Sequence, residues 1–203
     1  MARAARVVEP GRPHHVIQRG NRRQRVFFRD EDYRAYRGLV AHWCTFYGVE
    51  VWCYCLMPNH VHLLAVPCSA DALSRAFGQA HRRYTRMINA RHGWKGHLWQ
   101  GRFTSVVVDG NSLLAAARYI EMNPVRAGLA ARPEDYAWSS AGAHVDGRPD
   151  CLARGGPFAG ILPQWREFLE GLPHRGPVAR YSAPGEGHRT TPAIEQEVSW
   201  KNR

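Results

Sequence analysis

The apolar positions of the first half of the chain follow two periodicities. Residues 14–20 and 49–66 are rich in β-forming residues, and the second stretch is interrupted by a turn at Met57-Pro58-Asn59, which predicts a short strand and a hairpin. Between them, acidic residues at 30–32 precede apolar residues spaced three and four apart, which predicts an amphipathic helix to about Gly48.

The second half continues the series. Residues 70–92 have helical spacing with a basic outer face, and Gly93 ends that helix. Residues 98–108 alternate, which predicts a strand that includes Arg102, and residues 113–122 predict a short helix. The order is that of an α+β, ferredoxin-like split βαββαβ unit with an added C-terminal helix. We expect an antiparallel sheet with its helices on one face and the other face open.

The periodic pattern weakens beyond about Leu129, and the last forty residues are rich in proline, glycine and charge. We therefore expect one domain over residues 1–145 and a weakly structured extension over residues 146–203. The sequence leaves open whether this extension contacts a partner or folds back on the sheet.

The charge balance favours a polyanionic partner. The formal net charge is +11, and only Lys95 and Lys201 among the 28 basic residues are not arginine. No acidic residue lies between Asp71 and Asp109. Arginine offers a planar fork of donors that matches phosphate oxygens, and the seven Trp and eight Tyr residues offer surfaces on which unpaired bases can stack. We expect a nucleic acid as the partner.

Other features concern location. The five cysteines have no paired metal-type spacing, which favours reduced thiols in a cytoplasmic protein. No signal-like segment and no run of eighteen apolar residues are present in the sequence, so we expect no membrane location.

Two patterns could bind a metal and a phosphate. His60 and His62 follow the predicted turn, and the two-residue period of a strand places both imidazoles on one face, where they could share a cation. Tyr119 and Asn123 lie four apart on the last predicted helix and share one of its faces. The amide oxygen of asparagine is a hard ligand suited to Mg²⁺ or Mn²⁺. Taken one at a time, each pattern favours a structural role.

Together these residues resemble a known family. The segments Met57-Pro58-Asn59-His60-Val61-His62 and Tyr119-Ile120-Glu121-Met122-Asn123-Pro124-Val125-Arg126-Ala127-Gly128-Leu129 look like those of the single-tyrosine HUH transposases, in particular the REP-associated tyrosine transposase branch. Residues 18–23, 98–103 and 135–140 resemble the same branch. The resemblance spans about residues 5–145.

The resemblance implies a metal-dependent enzyme that cuts and rejoins single-stranded or hairpin DNA. His60, His62 and Asn123 would hold the divalent cation, and Tyr119 would attack the scissile phosphate and keep its 5′ side as a phosphotyrosine. Tyr54, Tyr84 and Tyr136 are competing nucleophiles, but none of them matches the family's helix motif. Candidate phosphate contacts, chosen by charge and motif position, are Arg19, Arg22, Arg23, Arg82, Arg83 and Arg102.

Three alternatives stay open at this point: a DNA-binding protein domesticated from a transposase and without catalysis, another HUH enzyme such as a replication initiator or relaxase, and a histidine-metal hydrolase that forms no protein adduct. The sequence is compatible with a monomer or a homodimer.

Overall fold

The computed structural model describes residues 7–154, 156–158 and 164–171. Four strands and six helices lie within them. The strands are β1 (His14–Arg19), β2 (Val49–Met57), β3 (His60–Pro67) and β4 (Thr104–Val107). The helices are α1 (Asp30–Phe46), α2 (Ala72–His92), α3 (Leu113–Glu121), α4 (Asn123–Arg126), α5 (Ala141–Asp146) and α6 (Trp165–Glu170).

The four strands form one antiparallel sheet in the order β2-β3-β1-β4. The order is that of the ferredoxin-like unit expected from the sequence, with β1 and β3 at the centre. In the central pair, Arg19 lies opposite His60 and Ile17 opposite His62. The start of β3 therefore lies beside the end of β1.

Helices α1 and α2 cover one face of the sheet. Val61, Leu63 and Ala65 point from β3 into the core on this side, and the aromatic rings of Phe27, Tyr36, Phe77 and Tyr84 fill it. Asp32 in the first turn of α1 is buried and accepts two hydrogen bonds from Arg91 near the end of α2. Burial acts to raise the pKa of this carboxyl group, but the hydrogen bonds from Arg91 and from the backbone of Phe28 and Arg29 outweigh burial and lower it.

The expectation that the opposite face is open was wrong. A second cluster of buried residues lies on that face, where α3 packs against Cys53, Cys55 and Leu64 of the sheet. Residues from beyond position 146 join this layer. These are Phe158, Trp165 and Leu169.

Two boundaries differ from the sequence predictions. Residues 98–103 do not belong to a strand, because β4 begins only at Thr104, so Arg102 lies in a loop. The apolar residues Leu98, Trp99 and Phe103 of that loop are buried in the first core, so their apolar character reflects burial of a loop and not of a strand. The helix predicted over 113–122 ends at Glu121, and a further short helix, α4, begins after Met122.

Part of the predicted extension folds back on the sheet. Leu152 joins the first core, and Ala153 forms an isolated bridge with Val51 of β2. The boundary between a domain at 1–145 and an extension at 146–203 stays a prediction, and residues 172–203 lie outside the described part. None of the helices in the described ranges is long and apolar enough to cross a membrane.

Candidate functional site

The first two residues of the site lie at the start of β3. His60 follows the β2–β3 turn, and His62 lies two residues later on the same face of the sheet, the face that packs against α3. Their ring centroids are 4.9 Å apart and the rings are nearly perpendicular. His62 is buried and His60 is half-buried, so the pair is open to a ligand at the end of the strand.

A third histidine supports this pair, and sequence reasoning missed it. Nε2 of His15 on β1 lies 2.9 Å from Nδ1 of His62, and the two residues are 47 positions apart in the chain. His15 is itself buried. The sequence shows His15 on a predicted strand. Its contact with His62 could not be predicted, because it depends on the pairing and register of β1 and β3.

In both imidazoles of the pair, Nδ1 has a hydrogen-bond partner. Nδ1 of His62 meets His15, and Nδ1 of His60 lies 2.6 Å from Oδ1 of Asn59. This arrangement directs the Nε2 atoms toward a ligand, as second-shell hydrogen bonds do for metal-bound histidines. Burial, together with the charge of Arg19, lowers the pKa of His60 to about 4. Burial, His15, His60 and Arg19 hold the pKa of His62 well below its usual value. Both rings are therefore neutral at pH 7, which metal coordination requires.

Tyr119 lies on α3 directly over the histidines. Its ring centroid is 5.6 Å from that of His62 and 6.0 Å from that of His15, with edge-to-face geometry in both pairs. The guanidinium of Arg126 on α4 lies 5.2 Å from the centre of the Tyr119 ring. Tyr119 is half-buried, so the phenol combines a fixed position with access from solvent.

The three competing tyrosines have other roles. The hydroxyl of Tyr84 donates to the carbonyl oxygen of Val26, that of Tyr136 to the carbonyl oxygen of Leu56, and that of Tyr54 to the Asp150 carboxylate. Burial raises the pKa of all three phenols. Each of these hydroxyls is therefore engaged in a hydrogen bond within the fold.

Asn123 is connected to Tyr119 by a hydrogen bond from its Nδ2 to the backbone carbonyl oxygen of Tyr119, at 2.7 Å. This bond fixes the amide so that Oδ1, a hard oxygen, is the atom left to bind a cation. Within the described ranges, no cluster of three His, Cys, Asp or Glu residues is placed to hold a metal ion. By donor type alone, two neutral imidazoles and one amide oxygen suit a divalent cation whose other ligands are water and phosphate oxygens.

Three of the predicted phosphate contacts lie beside this site. Arg19 at the end of β1 is the register partner of His60. Arg22 and Arg23 follow in an exposed loop, and both have positive φ angles, 52° and 60°. Such angles are costly for residues with a side chain and occur where the surroundings enforce them, often at functional sites.

Backbone hydrogen bonds hold this loop at the end of the sheet. Gly20 donates to the carbonyl oxygen of Asn59, and Asn21 donates to that of Leu98, both at 2.8 Å. Gln100 donates in turn to the carbonyl oxygen of Arg19. The arginine loop, the turn before His60 and the segment 98–101 therefore form one junction.

The other three arginines are dispersed. Arg82 on α2 forms no ion pair with a carboxylate within the described ranges, and it donates a hydrogen bond to Oε1 of Gln79 at 2.6 Å. Arg83, its neighbour, lies over the Trp43 ring at 4.9 Å, on the surface between α1 and α2. Arg102 is exposed in the loop before β4. The side chains of Arg82 and Arg83 therefore have different surroundings, a difference that the sequence did not reveal.

Comparisons with known proteins agree with this geometry. The family model for IS200-like transposases matches residues 12–123, more than half of the chain. A REP-associated tyrosine transposase of Haemophilus influenzae is 26% identical over 116 residues, which represent 52% of this chain and 66% of the relative, just under two thirds. A solved structure of a REP-associated tyrosine transposase bound to a REP hairpin covers 77% of this chain and 93% of that chain, with a TM-score of 0.57 and 20% identity. This last similarity shows a shared fold.

Proposed function

Because the chain belongs to the IS200-like transposase family, we propose that it cuts and rejoins single-stranded DNA through a covalent bond to Tyr119. The observation that carries the proposal is the position of the Tyr119 ring, 5.6 Å from His62 of the histidine pair. Among the four candidate tyrosines, the hydroxyls of the other three donate to acceptors elsewhere in the fold.

The proposed reaction is a transesterification. The phenol oxygen of Tyr119 attacks the scissile phosphorus, the bond from phosphorus to the 3′ oxygen breaks, and the released 3′ oxygen ends as a hydroxyl with the proton that the phenol gives up. The 5′ phosphate stays on Tyr119. Since one phosphodiester replaces another, a 3′ hydroxyl can later reverse the step without a nucleotide cofactor.

His60, His62 and Asn123 would hold Mg²⁺ or Mn²⁺ in this reaction. When bound, the cation neutralises charge on the scissile phosphate. The protein keeps both imidazoles neutral by burial, and His15 and Asn59 orient them. The Nδ2 bond of Asn123 to the backbone of Tyr119 couples the proposed ligand set to the nucleophile.

The proposed substrate is repeat DNA that forms a hairpin with single-stranded flanks. One solved relative is bound to a REP hairpin. In this chain the positive charge beside the site suits such a substrate, and the proposed phosphate contacts are Arg19, Arg22, Arg23, Arg82 and Arg102. Arg83 is left out of this set because its guanidinium lies over the Trp43 ring. Its contact with DNA stays a prediction from the sequence.

The proposal is tested by incubating hairpin DNA with single-stranded flanks and Mg²⁺ or Mn²⁺, followed by a denaturing gel. The wild type should form a metal-dependent protein–DNA band, which Tyr119→Phe should lack and the control Tyr136→Phe should retain. Tight DNA binding without an adduct would instead indicate a non-catalytic DNA-binding protein. Cleavage without an adduct would indicate a hydrolase.

A further inference from the structure

A basic cavity of about 510 Å³ lies between α2 and residues 96–101, apart from the histidine pair. The size falls within the roughly 300–1,000 Å³ of small-molecule pockets. Its lining includes cationic, aromatic and amide side chains, namely Arg82, Arg86, His97, His81, Trp99 and Asn89.

The charged side chains that line the cavity are all positive. Arg82 and Arg86 are four residues apart on α2 and therefore lie on the same helix face. None of the lining residues is acidic, and no acidic residue lies anywhere between Asp71 and Asp109. Arg82 is oriented by its hydrogen bond to Gln79 rather than by a carboxylate. These positive side chains suit a phosphate.

Two aromatic side chains also line the cavity, His81 of α2 and Trp99 of the segment 96–101. His81 and Trp99 lie with ring centroids 5.0 Å apart. The hydroxyl of Tyr36 lies 2.9 Å from Nε2 of His81 and holds that ring in place. Trp99 packs into the first core and is 6% exposed, so the part of its ring that lines the cavity is held rigidly. Aromatic rings beside arginines are the usual combination for binding unpaired bases.

The cavity is connected to the histidine pair through the junction at the end of the sheet. Trp99 forms a β-bridge with Gly20, and Gln100 donates to the carbonyl oxygen of Arg19, the register partner of His60. The pair lies on the α3 side of the sheet and the cavity on the α2 side. The exposed Arg22-Arg23 loop lies between them at the sheet end.

We propose that this cavity binds an unpaired nucleotide of the single-stranded flank, with its phosphate against Arg82 and Arg86 and its base against His81 and Trp99. The inference rests on the proposed function, since it places a second part of the same DNA strand. It makes the α2 side of the molecule the part that distinguishes a flanked hairpin from a bare one.

The test compares Arg82→Gln/Arg86→Gln with a matched control, Arg34→Gln/Arg75→Gln. Both double variants remove two positive charges, but Arg34 and Arg75 are ion-paired with Asp30, Glu31 and Asp71 and lie outside the cavity. Fluorescence anisotropy would measure the affinity for one hairpin with and without a flank of about six nucleotides, a length within the usual site sizes for single strands. All four arginines are exposed, so the variants should fold.

We expect the cavity variant to lose about tenfold in affinity for the flanked hairpin and less than about twofold for the bare hairpin, the former equivalent to about 1.4 kcal/mol. The control should weaken both substrates equally and slightly. The inference is overturned if the two variants behave alike, or if wild type binds both hairpins equally.

Adduct formation separates this inference from the proposed function. If wild type forms no adduct with saturating flanked hairpin but the cavity variant still loses affinity selectively, the catalytic proposal fails and the cavity stands. If adducts form and the cavity variant binds the flank as wild type does, the cavity inference fails alone.

Discussion

His15 determines which nitrogen of His62 is available to a ligand. Its Nε2 lies 2.9 Å from Nδ1 of His62, and both rings are buried. Loss of this hydrogen bond would leave a buried nitrogen without a partner, which costs free energy. His15 also packs edge-to-face against Tyr119. One side chain thus orients a proposed metal ligand and supports the proposed nucleophile.

We predict that His15→Phe weakens Mn²⁺ binding by about 10- to 100-fold, because the ring shape is kept while the hydrogen bond that orients His62 is lost. Free Mn²⁺ would be measured by electron paramagnetic resonance in a Tyr119→Phe background with flanked hairpin DNA bound. The control is His14→Phe. His14 bonds to the backbone of Glu9 and Arg12, away from the pair, and its substitution should change Mn²⁺ affinity less than about twofold. Equal losses in both variants would refute a specific role for His15.

Gly20 is required by close packing at the junction. A β-carbon there would collide with the carbonyl oxygen of Gln24 and lie 2.8 Å from Cγ1 of Val26. Gly20→Ala should therefore lower the free energy of unfolding by about 1–3 kcal/mol. Urea denaturation measures this change.

The matched control is Gly78→Ala. Gly78 lies within α2, and a β-carbon there would meet nothing within 4 Å. The substitution should raise the free energy of unfolding by about 0.5–1 kcal/mol, since alanine is the better helix former. Destabilisation at both glycines, or at neither, would contradict the packing described for the junction.

Among the elements, those with a strong local signal were predicted well. The acidic first turn of α1, the turn before β3 and the glycine after α2 all lie where the sequence indicated. The strand predicted over 98–108 was mostly wrong, because Leu98, Trp99 and Phe103 are buried from a loop. An alternating pattern reports burial, and it does not distinguish a paired strand from a loop packed on the core.

In the candidate site too, the residues within local motifs could be predicted, whereas their distant partners could not. Its proposed ligands and nucleophile lie within short motifs, so local spacing was enough to find them. The partners that orient them lie far along the chain. His15 is 47 residues from His62, and the groups that bind the Glu121 carboxylate lie 19 to 44 residues from it. Such pairs depend on strand register and helix packing, which a single sequence does not reveal.

Glu121 connects α3 to the later helices. Its carboxylate is fully buried and accepts hydrogen bonds from the Ser140 hydroxyl at 2.5 Å and from Nε1 of Trp165 at 2.7 Å. Nδ1 of His144 lies 2.6 Å from the same carboxylate. Three groups from beyond position 139 therefore hold the helix that includes Tyr119.

We predict that Glu121→Gln lowers the free energy of unfolding by about 1–3 kcal/mol, because the amide replaces an acceptor with a donor among buried donors. Urea denaturation, monitored by tryptophan fluorescence, would measure this change in the free energy of unfolding. Glu170→Gln, at an exposed position on α6, serves as the control and should stay within about 0.5 kcal/mol of wild type. No difference between the two variants would show that the buried network does not stabilise α3.

At the scale of the whole molecule, the net charge of +11 implies salt-sensitive DNA binding. Single-strand contacts contribute about −0.7 per neutralised phosphate to the slope of log affinity against log salt. Arg22→Gln/Arg23→Gln should make this slope shallower by about 1 to 1.5, because both side chains lie in the exposed loop beside His60. Anisotropy titrations across a salt series would measure it.

The control for the salt series is Arg34→Gln/Arg75→Gln. These arginines already form ion pairs with Asp30, Glu31 and Asp71, so they should release few counterions on DNA binding. An equal change of slope in both double variants would mean that the DNA responds to overall charge and not to the loop.

The most direct test of the central proposal is to identify the residue bonded to DNA. Trypsin cleavage after Arg118 and Arg126 yields the peptide Tyr119–Arg126, in which Tyr119 is the only hydroxyl-bearing side chain. After incubation with flanked hairpin DNA and Mn²⁺, nuclease and trypsin digestion, mass spectrometry should find this peptide with a 5′-linked nucleotide. A nucleotide on a peptide that contains Tyr54, Tyr84 or Tyr136, or an unmodified Tyr119 in a chain that has cut DNA, would contradict the mechanism.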